Sequence, residues 1–245
     1  MSTPSIQLYT SRTPNGVKIS ILLEELGLPY EITDIDISKN TQKEPWFFDI
    51  NPNGRIPALT DTFEDGEKIN LWESGCIMQY LVERYDTEHK LSYPRGTRLA
   101  WEVNNWLFFQ NAGVGPMQGQ ANHFTRYAPE RIEYGVNRYQ NETRRLYRVL
   151  NTHLEKSTSG YLVGDKATIA DFAHYGWVSS ASWAGVEINE FPALKAWKEK
   201  MTARPGVQKG KLIPEPIEKD TRTDEEIAKA NSEWILAGMK ADAKK

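Results

Sequence analysis

Apolar positions change their period along the chain, and each change marks an element. Ser5 to Thr10 is a short strand-like run. Thr13 before Pro14 predicts an N-cap followed by proline at the first helical position. From there Val17, Ile19, Ile21, Leu22, Leu23 and Leu26 predict a mostly buried helix, ended by Gly27 and barred from continuing by Pro29. Tyr30 to Ile37 alternates, with Ile32, Ile35 and Ile37 set against Glu31, Thr33, Asp34 and Asp36. That pattern predicts a strand parallel to the first, closing a β-α-β unit. Lys39 to Asn51 is a polar loop with one helical turn at Pro45 to Phe48. Two short strands follow, Ala58 to Asp61 and Lys68 to Leu71, joined by the hairpin signal Glu64-Asp65-Gly66-Glu67. A helix from Ser74 to Tyr85 carries Ile77, Met78, Tyr80, Leu81 and Tyr85.

Beyond a polar linker, Asp86 to Thr97, only helical periods remain. Arg98 to Gln110 holds Trp101, Trp106, Phe108 and Phe109, and the three glycines and Pro116 of Ala112 to Gly119 predict a bend or break. Pro129 to Glu155 is long and amphipathic. Thr168-Ile169-Ala170-Asp171 reads as a capping box in its Asp form, opening a buried helix. A further helix runs from Phe191-Pro192 to Met201, and Asp224 to Ala241 predicts one more, exposed, with a lysine-rich end that frays. The expected fold is α/β followed by all-α. A thioredoxin-like domain occupies residues 1–86, a linker 87–97, a helical domain 98–215 and a helical or frayed tail 216–245.

Composition narrows the chemistry. A chain of 245 residues, 39% hydrophobic, can bury a substantial core. The net charge of −3 gives no basic face, so nucleic acid is not an expected partner. One cysteine, Cys76, rules out a disulfide framework, and His89, His123, His153 and His174 are too dispersed for a metal site, so none is expected. Neither a secretory leader nor a membrane span is evident in the pattern. A soluble, cytoplasmic protein of a reducing compartment is the expectation.

Two short stretches carry candidate binding chemistry. Asn51-Pro52-Asn53-Gly54-Arg55-Ile56-Pro57-Ala58-Leu59 places an X-Pro step just before an apolar strand. A cis bond at Pro57 would leave the Ile56 main chain free to pair with an extended peptide. Glu73-Ser74-Gly75 lies where a strand meets a helix. With Ser74 as N-cap, the helix start offers N–H groups to a carboxylate, and Glu73 offers negative charge to an ammonium.

Ile-Pro-Ala-Leu followed by Glu-Ser-Gly, with Leu-Val-Gly-Asp before Thr-Ile-Ala-Asp, resembles the glutathione transferase superfamily over roughly residues 5 to 210. Thr13-Pro14-Asn15-Gly16, Asn51 to Gly54, Trp106 to Gln110, Gly115 to Gln120 and Arg138-Tyr139 are similar to the nu class and to the yeast nitrogen-catabolite regulator of the same fold. The resemblance implies a homodimer that binds glutathione, as GSH or GSSG, as co-substrate. It implies a transferase with disulfide-bond reductase activity towards a small electrophile or disulfide, of the kind that serves detoxification. Thr13 and Asn15 would hold the glutathione sulfur as thiolate, with Ser11 a weaker alternative. Ile56, Pro57, Glu73, Ser74, Gln42 and Arg138 would hold the peptide; the arginine that Arg138 matches in the nu class comes from the partner subunit, and its own subunit stays the alternative here. Trp106, Phe109, Met117, His123, Phe124 and Tyr127 would line the second-substrate pocket, although aromatics at helical spacing are more often core. Tyr9, Asn53 and Arg55 read as structure, and Cys76 as a buried small hydrophobe without a catalytic role.

The alternatives stay open on the residues alone: Thr13 as a cap only, Gln42 and Arg138 as surface groups. At the level of the chain they are a non-catalytic regulator or ligand carrier, or a structural module like those of translation factors. The long Asn-rich extension of the yeast regulator is missing here.

Overall fold

The computed structural model describes residues 5–214 and 222–242. Strands β1 (Ile6–Thr10), β2 (Tyr30–Asp34), β3 (Ala58–Thr62) and β4 (Lys68–Trp72) form one mixed sheet in the order β2-β1-β3-β4. β1 runs parallel to β2, with Leu8 opposite Ile32, and antiparallel to β3, with Leu8 opposite Leu59. Helix α1 (Gly16–Leu26) makes the parallel crossover, and α3 (Ser74–Tyr85) packs beside it. The short α2 (Pro45–Phe48) belongs to the second apolar cluster, in which Ile35, Phe47, Ile50 and Ala58 are buried with Tyr9 and Ile56 packed against them.

The second strand is shorter than its alternation suggests. It ends at Asp34, because Asp36 caps a 3-10 turn at Ile37–Lys39, accepting from the Ser38 N–H at 3.0 Å. Ile35, fully buried, therefore anchors the loop rather than extending the ladder.

The remaining elements are α4 (Arg98–Phe109), α5 (Gly115–Asn122), α6 (Glu133–Glu155), α7 (Ile169–Val178), α8 (Pro192–Thr202), α9 (Pro205–Gly210) and α10 (Asp224–Asp242). At the predicted bend or break after α4 the chain makes a π-helical turn, Gln110–Val114, that leads without interruption into α5. Wider turns of this kind recur at functional sites, and this one delivers Gln110 and Asn111 to the cleft described below. The helix expected from Pro129 begins at Glu133.

One apolar cluster joins the two halves, running from Ile19, Leu22 and Leu23 of α1 through Ile77 and Leu81 of α3 to Phe172, Ala173 and Val178 of α7. Each large side chain fully buried there contributes about 1.5–3 kcal/mol of transfer free energy. The capping box of α7 is present: Thr168 Oγ1 accepts from the Ala170 N–H at 3.3 Å, and Asp171 accepts from the Thr168 N–H at 3.0 Å. Asp171 also accepts from the Leu162 N–H at 3.0 Å and the Trp197 indole at 2.8 Å, tying the Leu162–Asp165 turn and α8 to the same carboxylate.

Gly176 sets how α7 meets α1. A Cβ at this position would run into the Pro14 carbonyl, so only glycine lets the helices approach this closely. That approach brings Trp177 to the start of α1.

The tail is not simply exposed. α10 packs on the turn at His123–Tyr127 and on the 3-10 turn at Ile37–Lys39, with Ala228 buried. The lysine-rich end expected to fray lies outside the described residues.

Candidate active site

An open cleft of about 750 Å³ lies between the sheet domain and the helices. Its walls come from the start of α1, the loops before β3 and α3, the π-turn with α5, Trp177 and α10.

The start of α1 supplies Thr13 and Asn15. Thr13 Oγ1 accepts from the Gly16 N–H at 3.1 Å and its carbonyl from the Val17 N–H at 3.0 Å, but α1 begins only at Gly16 with Asn15 in the N-cap position, so Pro14 stands in the turn before the helix and not at its first position. The hydroxyl hydrogen is left for a donation outward. Asn15 is oriented by a donor-only partner, the Trp177 indole, whose Nε1–H donates to Asn15 Oδ1 at 2.9 Å. The Asn15 NH2 is therefore the free end of the amide. Two hydrogen-bond donors thus stand at a helix N-terminus whose dipole favours an anion.

Ile56 enters the cleft through a loop organised by buried Asn51. The Asn51 amide donates to the Arg55 carbonyl at 2.7 Å and accepts from the Asn53 N–H at 2.9 Å, while Gly54 closes the turn at φ 59°. The Ile56-Pro57 bond is cis. Asn53 and Arg55, read from sequence as loop structure, line the cleft as well.

At the third wall the capping expectation needs correcting. Glu73 occupies the N-cap position of α3, its carbonyl accepting from the Ile77 N–H at 3.0 Å, and Ser74 is the first helical residue. The reason is a buried lysine: Ser74 Oγ accepts from Lys18 Nζ at 3.1 Å instead of from its own helix. With no side-chain cap, the first N–H groups of α3 remain available to an anion. Glu73 itself has φ 65° and ψ 116°, a conformation that costs a non-glycine residue on the order of 1–3 kcal/mol.

Lys18 lies 1% exposed beneath these two helix starts, and its Nζ also donates to Gln110 Oε1 at 2.6 Å. Burial lowers its pKa to about 7, with nearby Glu73 pulling the other way. Behind it sits His174, fully buried, its ring Nδ1 2.8 Å from the Ala170 carbonyl; burial, and the charge of Lys18, lower its pKa to about 4. A lysine on the apolar face of α1, between Val17 and Ile19, was the only sequence signal for this cluster.

Gln42 lines the cleft from a 3-10 turn at Thr41–Lys43. It is 7% exposed, and its Oε1 has no protein partner among the described residues. Arg138 is exposed on α6 and does not line the cleft of its own chain.

The aromatic set expected at the second-substrate pocket is not on the cleft wall. Trp106 and Phe109 pack on each other and on His174, with centroids 5.5 and 6.1 Å apart for the Trp106–Phe109 and Phe109–His174 pairs. Met117 packs on the main core. Phe124 stacks on Tyr139 at 5.4 Å and touches His123, while Tyr127 accepts from the Trp183 indole. The physical cause is helical phase: Gly115, Pro116, Gly119 and Gln120 take the cleft-facing positions of α5, and the larger side chains face the helices behind. Trp177 and Trp234, which no local motif singled out, are the aromatic residues of the cleft.

Cys76 is exposed on α3 rather than buried, and it does not line the cleft. Partial burial and the Glu73 charge push its thiol pKa up, the opposite of activation.

Residues 4–83 match the family model for the glutathione S-transferase N-terminal domain, and residues 100–205 match that for the C-terminal domain. A glutathione S-transferase-like protein from Aspergillus terreus, gedE, is 41% identical over 86% of this chain and 97% of its own. The chain belongs to the glutathione S-transferase family. Among other glutathione transferase relatives, the disulfide-bond oxidoreductase YfcG of Escherichia coli is 43% identical, covering 82% of this chain and 91% of its own. The crystal structure of a glutathione transferase homolog from Lodderomyces elongisporus, with two GSH per subunit, superposes with a TM-score of 0.82 at 47% identity. It spans 86% of this chain and 99% of that one. No described helix is long and apolar enough to cross a membrane.

Proposed function

We propose that this chain is a glutathione-dependent enzyme, a transferase with disulfide-bond reductase activity that uses the thiolate of bound glutathione. The observation that carries the reading is the fixed Asn15 amide: with its oxygen taken by Trp177, it presents a donor beside the free hydroxyl hydrogen of Thr13. Together with the start of α1 these groups stabilise a thiolate, the nucleophilic form of the co-substrate.

The peptide would lie along the cleft. The γ-glutamyl carboxylate takes the N–H groups and hydroxyl at Ser74, and its ammonium takes Glu73. The cysteinyl residue pairs with the Ile56 main chain beside Pro57, and the glycyl end meets Gln42. Arg138 would reach glutathione from the partner of a homodimer, for which Trp101, Phe108 and Tyr134, 65%, 63% and 79% exposed on α4 and α6, offer apolar surface. The thiolate attacks one sulfur of a disulfide, forming a new S–S bond as the old one breaks and a thiolate departs. A second glutathione thiolate then releases the other half, leaving two thiols and one glutathione disulfide. The two glutathiones bound per subunit in the Lodderomyces homolog, and the activity for which YfcG is named, support that sequence of steps. Electrophiles would be conjugated from the same thiolate, in a reducing, cytoplasmic setting.

Steady-state reduction of a small mixed disulfide by glutathione, on the wild-type chain and on Cys76→Ser, tests the reading. Equal turnover in both is expected. Loss of activity with Cys76 would make the protein thiol a participant. Bound glutathione without turnover would leave conjugation or the regulatory alternative.

A further inference from the structure

Lys18 is the single basic residue of α1, almost fully buried and yet part of the cleft wall. Its Nζ donates to Ser74 Oγ at 3.1 Å and to Gln110 Oε1 at 2.6 Å. Both acceptors are neutral, and Lys18 makes no ion pair among the described residues. An ammonium has three hydrogens and no acceptor, so one hydrogen is left over after these two bonds.

Few charges face this group. Glu73, in the loop before α3, draws its pKa up, but burial outweighs it and draws the pKa down to about 7. Amine and ammonium are therefore both populated in the free chain at neutral pH. From α7 comes His174, whose own pKa is lowered to about 4, so it is neutral there. The π-turn contributes only Gln110. Helix α9 meets α1 further along, at Ser20, Ile21 and Glu25. In the pose proposed above Glu73 is taken by the ligand ammonium. The counter-charge for Lys18 then comes from the γ-glutamyl carboxylate at Ser74.

The state of the lysine also sets the direction of the serine. Against an ammonium, Ser74 Oγ can only accept, and its hydrogen is free for a carboxylate. Against a neutral amine, which has a lone pair, the hydroxyl can turn and donate inward, and the carboxylate loses that donor.

We infer that Lys18 is a positioning residue of the glutathione site: it takes up a proton as the γ-glutamyl carboxylate binds, and as an ammonium it holds the Ser74 hydroxyl as a donor to that carboxylate. The inference rests on the glutathione reading above and adds a coupling of ligand affinity to pH. A nearby anion favours the charged lysine, so its pKa is higher in the complex than in the free chain. Affinity is then greatest below about pH 7 and falls, by up to about tenfold per unit, as pH rises from there towards the pKa of the complex.

The test is titration calorimetry of the full chain with S-methylglutathione, which has no thiol proton, in buffers of low and high ionisation enthalpy and at several pH values between about 6.5 and 8.5. Near pH 7.5 wild type is expected to take up roughly half a proton per ligand, a result that needs no variant to fold. Lys18→Met keeps the apolar stem. It should take up almost no proton, lose the pH slope and bind roughly tenfold weaker near pH 7. With Ser74 already replaced, as in Ser74→Ala, the further loss from Lys18→Met should be much smaller. Wild type without proton uptake would overturn the inference. So would uptake that survives Lys18→Met, or losses that simply add in the double variant. Wild type that binds neither glutathione nor S-methylglutathione would overturn the underlying reading and this one with it, and that result is visible in the first titration.

Discussion

The indole of Trp177, on α7, donates to the amide oxygen of Asn15, at the start of α1, across 2.9 Å. A residue of the helical domain thus decides which end of an amide in the sheet domain is free. Trp177→Phe keeps most of the packing and removes the donor. Turnover with glutathione should fall about tenfold, the scale of a misoriented charge-stabilising donor. Glutathione affinity should change by less than about threefold, since this donor acts on the thiolate more than on the peptide. Steady-state kinetics beside calorimetric binding separates the two.

Lys18 gives folding stability a pH dependence on the alkaline side. Its folded pKa is lowered from 10.5 to about 7, so between those values the unfolded chain holds a proton that the folded chain has released. Stability therefore rises with pH from about 7 towards 10.5, by at most about 1.4 kcal/mol per pH unit from this group. Below about pH 7 Lys18 is charged in both states and the cost of its burial is present in full. Denaturant unfolding at several pH values, wild type against Lys18→Met, should show a flatter rise in the variant. Identical slopes would remove Lys18 from the account.

His174 acts on the acid side. Its pKa is lowered from 6.5 to about 4, so as pH falls through that window the unfolded chain takes up a proton that the folded chain refuses. Stability falls over the same window, again by at most about 1.4 kcal/mol per unit, and levels off below about 4 as far as this group is concerned. His174→Phe, in a site already lined by Trp106 and Phe109, should flatten the wild-type acid limb in the same assay.

Asp171 is the structural counterpart of these groups. Its carboxylate, fully buried, accepts from two main-chain N–H groups, one indole and, at 3.4 Å, the Thr168 hydroxyl. Asp171→Ala leaves these donors without their partner, a loss of about 3–5 kcal/mol. For a chain of this length that lowers Tm by about 10 °C, readable by calorimetry. A drop of under about 2 °C would mean that the turn and α8 do not depend on this carboxylate.

What the sequence disclosed and what it withheld divide along the range of the interactions. The Thr168–Asp171 box and the Glu64–Glu67 hairpin are local chemistry, and each stands as read. Ile56, Glu73, Ser74 and Gln42 were legible because motifs carried them, and they share one cleft. Lys18, Gln110 and Trp177 were not, because each meets its partner across more than fifty positions: 56 for Lys18–Ser74, 92 for Lys18–Gln110 and 162 for Trp177–Asn15. The aromatic set around Trp106 and Phe124 misled for a related reason. Helical spacing shows that residues share a face, and only packing shows which face looks into the cleft. β2 was overextended because Ile35 and Ile37 continue the alternation while Asp36 turns the chain.

The thiolate of bound glutathione is read most directly from its thiol pKa, by absorbance across pH, in wild type and in Asn15→Ala. In wild type the value is expected roughly one to two units below that of free glutathione, the range produced by a helix start and hydrogen-bond donors. In Asn15→Ala it should return most of the way to the free value, with glutathione still bound. A wild-type thiol that titrates like the free tripeptide, or a lowered pKa untouched by Asn15→Ala, would contradict a thiolate held by Asn15.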